Sequence, residues 1–156
     1  MKFSLAYFTL FAILGAFDSA TLYLAGQDSK QWSLYVTTPA AAIGSCQASH
    51  PVAQDNTYTF HTDGSFEFDH GTVTEDPGCQ EEDCCSDLVN ITGTWKFLNN
   101  DKRLRITAVQ EKDNAENKLD IILFDATIDQ LDENVLKISQ TDKTTNTLYT
   151  FEFRKR

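Results

Sequence analysis

The chain reads as an all-β protein, an eight-stranded antiparallel up-and-down barrel that follows an N-terminal signal segment. Three observations predict this. From Lys30 onward the dominant period is two, apolar residues alternating with polar ones in short runs separated by turn residues. Eight such runs fit in the chain: Lys30–Thr37, Asn56–His61, Ser65–His70, Thr92–Leu98, Arg103–Gln110, Leu119–Ile128, Val135–Thr141 and Asn146–Arg154. No apolar stripe at helical spacing competes with them. Finally, hairpins registered independently put their apolar residues on one shared face, as a single enclosed core requires.

The first hairpin joins the second and third runs. Pairing Phe60 with Phe66 and Tyr58 with Phe68 leaves Thr62-Asp63-Gly64 as a three-residue loop, with Gly64 where φ must be positive. The opposite face then shows Thr57, Thr59, His61, Ser65, Glu67 and Asp69, all polar. In the next hairpin Trp95 and Phe97 match Ile106 and Leu104 across a loop that includes Asn99-Asn100-Asp101-Lys102. The last pairs Leu136 and Ile138 with Phe151 and Tyr149 around Asp142 to Thr145.

A meander of this kind has a polarity, because alternate connections fall at opposite ends. The short turns at Asp63-Gly64, Asn99-Asn100 and Asp132-Glu133-Asn134 share one end. The long first and third connections, Thr38 to Asp55 and Gly71 to Ile91, share the other.

Length and composition bound the rest. The 156 residues suffice for one domain with its own core. Hydrophobic residues make up 41% and aromatic residues 12%, with eleven phenylalanines, which excludes a disordered chain. The net charge is −10, from 23 acidic and 13 basic residues. That balance argues against nucleic acid and anionic lipid as partners, since both need clustered Lys and Arg.

Residues 1–20 read as a signal peptide. Lys2 supplies the positive start, Phe3 to Phe17 form an uncharged apolar run, and Ser19 and Ala20 supply small residues near a cleavage point after Ala20. Asp18 stands where a small residue is preferred. The alternative is a buried N-terminal strand or helix that stays on the protein. The run is too short to span a membrane, and no other stretch is long enough. Leu24-Ala25-Gly26-Gln27 has the outline of a lipoprotein box but lacks the cysteine that accepts lipid. The expected products are an extracytoplasmic chain and a barrel domain over residues 26–156.

Four cysteines remain: Cys46, Cys79, Cys84 and Cys85. An even number after an export signal implies two disulfides. A zinc site is disfavoured, because no C-x-x-C pair occurs. All four lie in the two long connections, at the same end of the barrel. The preferred pairing ties Cys46 to Cys84 or Cys85, with Cys79 bonded to the other.

Several segments together resemble a family. Ser29-Lys30-Gln31-Trp32, Asp55-Asn56-Thr57-Tyr58-Thr59-Phe60, the turn Asp63-Gly64, and Gly93-Thr94-Trp95 followed by Lys96-Phe97 resemble the lipocalin-like domains of Bacteroidetes extracytoplasmic proteins. A cysteine before each of the second and third of these strands fits the same pattern. The resemblance covers Gly26 to Arg154 and rests on order and spacing. It implies a lipocalin-like eight-stranded barrel and export, and little about activity. True lipocalins carry G-x-W ahead of the first strand, whereas here it opens the fourth, so no lipocalin ligand site transfers. Cys79 and the Cys84-Cys85 doublet depart from the pattern as additions.

The chemistry-bearing residues argue for binding. The acidic loop Glu75-Asp76, Glu81-Glu82-Asp83 and Asp87 lacks the D-x-D-x-D-G spacing of a calcium loop and reads as a solvated rim. His61 falls at the short-turn end, and His50 and His70 at the other, so the three do not converge on a metal. No nucleophile–base constellation appears, which excludes neither surface nor core roles but points away from an enzyme. No cofactor and no metal are expected, and Asn90-Ile91-Thr92 is an incidental glycosylation sequon.

The aromatic set Trp32, Tyr58, Phe60, Phe66, Phe68, Trp95, Phe97, Tyr149 and Phe151 is the feature nearest to a function. These rings either line a pocket for one small apolar or amphipathic ligand, or fill the interior as core. The first reading makes the chain a monomeric ligand-binding barrel. The second makes it a protein- or glycan-interaction module whose disulfide-stapled loops form the binding surface.

Overall fold

The computed structural model describes residues 18–39, 42–43, 46–47, 55–69, 91–111 and 118–156, with side chains over 18–39, 55–69, 91–108 and 123–156. A helix, α1 (Ser19–Ala25), comes first. It is followed by β1 (Ser29–Thr38), β2 (Ala42–Ile43), β3 (Cys46–Gln47), β4 (Thr57–His61) and β5 (Ser65–Asp69). Then come β6 (Ile91–Leu98), β7 (Arg103–Glu111), β8 (Lys118–Leu131), β9 (Val135–Asp142) and β10 (Thr147–Lys155). β2 and β3 pair only with each other. The other eight strands close into an antiparallel barrel in which every strand neighbours the next barrel strand in sequence and β10 returns to β1. This is the eight-stranded up-and-down barrel that the alternation predicts.

Two registers match residue for residue. Phe60 faces Phe66 and Tyr58 faces Phe68; Trp95 faces Ile106 and Phe97 faces Leu104. Gly64 has φ of 87° and closes the β4–β5 turn, donating its N–H to the His61 carbonyl at 3.0 Å. The Asp63 carboxylate holds that turn by accepting from the Ser65 N–H at 2.8 Å and hydroxyl at 2.6 Å. In the β6–β7 turn three consecutive residues, Asn99, Asn100 and Asp101, take positive φ, which short amide and carboxylate side chains tolerate best.

The last hairpin is a correction. Ile138 faces Phe151 and Leu136 faces Phe153, so the true register is shifted by two residues. The cause is Asn146. Its φ of 55° places it in the turn, not at the head of β10, while Asp142 accepts from the Thr144 N–H at 2.7 Å. Because the side-chain period is two, the same residues still face inward.

β8 also runs longer than the alternation suggests. Register shifts between Ile106 and Thr107 on its β7 side and between Ile128 and Gln130 on its β9 side mark bulges, each of which resets which residues face the core. The polar outer face of β4 departs too, since Thr57 and Thr59 are buried. Arg156 reaches back from the chain end to donate to the Thr57 hydroxyl and, at 3.3 Å, to Asp55.

The topology puts the turns at 62–64, 99–102 and 132–134 at one end of the barrel and the 143–146 turn at the other, with the connections that carry the cysteines. Cys46 lies in β3; its side chain, and Cys79, Cys84 and Cys85, fall outside what is described, and with them the disulfide pairings. The same holds for residues 1–17, expected from the sequence to belong to a signal segment, for the acidic stretch from Glu75 to Asp87, and for Asn90, His50 and His70. Among the described residues no helix is long and apolar enough to cross a membrane.

Candidate ligand site

The interior is best built from the short-turn end, which α1 closes. Seven residues are too few for a helix to persist alone, so α1 depends on what it packs against. Leu24 and Ala25 are fully buried in the core cluster. Three of the last-turn carbonyls, which a helix cannot satisfy internally, find donors. The Leu22 carbonyl accepts from the Gly26 N–H at 3.0 Å, that of Tyr23 from Lys30 Nζ at 2.6 Å, and that of Leu24 from Trp32 Nε1 at 2.9 Å. Lys30 Nζ also sits 4.3 Å from the Trp32 ring centroid, and burial lowers its pKa. At the other terminus Asp18 caps α1, accepting from the Ala20 N–H at 3.4 Å. A cleavage after Ala20 thus falls inside α1 and removes its cap.

Above this plug the rings form one connected chain. Phe97 meets Trp95 with centroids 5.3 Å apart, Trp95 meets Phe60 at 6.0 Å, and Phe60 meets Phe66 at 5.3 Å. Tyr58 joins Phe66 at 6.4 Å, Phe68 at 5.0 Å and Phe153 at 5.0 Å. From Phe153 the chain passes to Phe124 at 6.3 Å, then to Phe151 at 5.2 Å and Tyr149 at 6.4 Å. Most pairs are edge-to-face or tilted, the favoured aromatic geometry.

The nine aromatic residues singled out from sequence divide accordingly. Trp32 belongs to the plug and appears in none of these ring pairs. Phe60, Phe66 and Trp95 are packed wall to wall, and Trp95 Nε1 is tied to the His61 carbonyl at 2.8 Å. Tyr58 and Phe68 lie deeper toward the other end, with burial pushing the Tyr58 phenol well above its ordinary pKa. Tyr149 and Phe151 are half-buried, and so is Phe97 at the short-turn end. Two residues were missed. Phe153 links the two halves of the chain, and its signal was the 149, 151, 153 alternation read under the slipped register. Phe124 lies next to the bulge at 123, which hides it from a period-two reading.

The loop-end half has a different lining. Gly93 and Ala108 face each other there, and Gly93 admits no side chain, because a Cβ would fall 2.1 Å from the Thr107 carbonyl oxygen. Thr37 faces Phe151 on the interior row, is only 4% exposed, and its hydroxyl has no hydrogen-bond partner among the described residues. Gln140, next on the β9 row after Ile138, accepts at its Oε1 from the Asp125 N–H at 2.9 Å. Thr37, Phe151, Ile138, Gln140 and Phe124 are all uncharged.

Charge is kept outside. Asp125 accepts from Arg103 at 2.5 Å and Arg105 at 2.6 Å, and the Arg105 hydrogen bond foremost holds its carboxyl below the usual range. Glu152 is lowered likewise by Arg154 and then Lys137. His61 Nε2 lies 3.5 Å from Glu67 with no hydrogen bond made. Among the described residues no group of three or more His, Cys, Asp or Glu gathers to hold a metal.

No family model, no curated protein and no solved structure matches the chain.

Proposed function

We propose that the chain is an exported, lipocalin-like binding protein that takes one small amphipathic ligand into the loop-end half of its barrel. The observation that carries this reading is the Thr37 hydroxyl. A buried hydroxyl without a partner costs about 1–3 kcal/mol, and a polar atom of a ligand beside Phe151 would offset that cost. The plug at the other end supports the same direction of approach. The lining points to the head group as well. A buried carboxylate or ammonium needs a countercharge, and among the described residues Phe151, Ile138, Gln140 and Phe124 of the same half supply none, so the ligand proposed carries a neutral head such as a hydroxyl or carbonyl. The reading requires no cofactor and no catalytic step.

The connected rings favour the second reading, in which the core is filled and the stapled loops bind a protein or glycan. A titration separates the two. Nile red should bind saturably with a change in tryptophan fluorescence, and a long-chain alcohol should displace it better than the acid of equal length. Thr37→Val should weaken the alcohol about two- to tenfold, the worth of one neutral hydrogen bond, and leave the dye unaffected. No saturable binding by the wild-type protein overturns the pocket and leaves the interaction module.

A further inference from the structure

We propose that the ligand enters sideways, through a seam between β8 and β9, with Gln140 as its latch; this rests on the binding reading above. The β8–β9 ladder pairs Leu131 with Leu136 and ends where Thr127 faces Ser139. Both strands continue toward the loop end. β8 stays paired with β7 from Arg103↔Thr127 to Glu111↔Lys118, and β9 stays paired with β10 out to Asp142↔Thr147. Continued at the same register, the ladder would set Ala126 against Gln140 and Phe124 against Asp142. Those pairs are not made. In their place one side-chain hydrogen bond crosses the gap, from the Asp125 N–H to Gln140 Oε1.

A ladder that stops midway leaves backbone donors and acceptors to find other partners, and here a single amide side chain does so. The bulges that shift β8 relative to β7 and β9 are the local reason the two strands part. Partly buried apolar residues lie on β8 beside the seam and on β10 behind it. Leu123, Phe124 and Phe151 are half-buried, whereas Leu104, Ile106, Leu136 and Ile138 are buried completely or nearly so. Behind it the Phe124 and Phe151 rings meet at 5.2 Å, and Phe151 faces Thr37 with its unpartnered hydroxyl. Parting Phe124 from Phe151 therefore connects the seam to the unpartnered Thr37 hydroxyl on the interior row. The Asp125 carboxylate, clamped by Arg103 and Arg105, keeps β8 fixed to the β7 side, so the strand that moves is β9.

The experiment compares the wild-type protein with Gln140→Ala in stopped-flow mixing with Nile red, alongside hydrogen exchange of the Asp125 amide. Gln140→Met, which keeps the length and loses the acceptor, serves if the alanine variant does not fold. Both association and dissociation rates should rise by about three- to tenfold, the equivalent of one lost hydrogen bond. Asp125 exchange should accelerate in step. Gln130→Ala, on the exposed side of the same strand pair, should change neither rate. Faster exchange with unchanged dye kinetics overturns the seam as the door and leaves the binding reading standing. Absence of dye binding in the wild-type protein overturns both.

Discussion

The two ends of this barrel solve opposite problems with the same kinds of residue. At the short-turn end the plug is tied down by hydrogen bonds. The Leu22, Tyr23 and Leu24 carbonyls of α1 meet Gly26, Lys30 and Trp32, and Trp95 Nε1 meets the His61 carbonyl. At the loop end the Thr37 hydroxyl is left without a partner, a ladder stops early, and aromatic rings stay half-exposed. Unmet hydrogen bonding and incomplete burial both cost stability. At the loop end they meet on the interior row, whereas the unpartnered His61 Nε2 and Arg103 Nε of the short-turn end lie on the outward row. On the proposed binding reading, the interior hydroxyl left without a partner is what a ligand would satisfy.

The sharpest way to break the comparison is at the plug. Trp32→Ala removes a fully buried ring and the donor to the Leu24 carbonyl, and should cost about 3–5 kcal/mol in denaturant unfolding. A loss under about 1 kcal/mol would mean that α1 does not close the barrel. Gly93→Ala should follow, at about 1–3 kcal/mol, because its methyl must displace the Thr107 backbone. Asp125→Asn comes next, at about 1 kcal/mol, and carries a pH signature. The folded-state pKa of Asp125 is depressed, so its stabilisation is present above the ordinary carboxylate value of about 4 and lost as pH falls through the folded value. Urea midpoints measured from neutral to acid pH should fall less steeply for the variant. The smallest effect has the opposite sign. Thr37→Val replaces an unpartnered hydroxyl with a methyl and should leave stability unchanged or raise it by about 1 kcal/mol. Destabilisation would show that the hydroxyl has a structural role.

Most of the barrel was legible because period-two alternation and turn chemistry are local signals. Phe60 opposite Phe66 and Trp95 opposite Ile106 follow from turn length alone. What escaped has local causes too. Asn146 takes a left-handed turn conformation that its flanking threonines do not announce, and this moved the last register. Bulges in β8 shift the inward row and conceal Phe124. The helix α1 is too short for a periodic stripe, and its segment resembles the end of a targeting sequence. The candidate site was half legible. Aromatic residues could be named, but an unpartnered threonine hydroxyl and an interrupted ladder exist only in three dimensions.

Trp32 has one more consequence, for the order in which the chain assembles. It faces Tyr58 on β4 and Lys155 on β10, so it stands where the first strand meets the last. From β4 to β10 each strand pairs with the next in the chain, and these contacts close over comparatively short loops. The β1–β10 ladder must bring together residues from opposite ends of the sequence, the most expensive loop closure in the fold. During synthesis β1 and the helix before it are made first, yet they wait for β10 to leave the ribosome before the ring can shut. Until then the edges of β1 and β9 are bare, and in that interval the chain most needs protection from pairing with a neighbour.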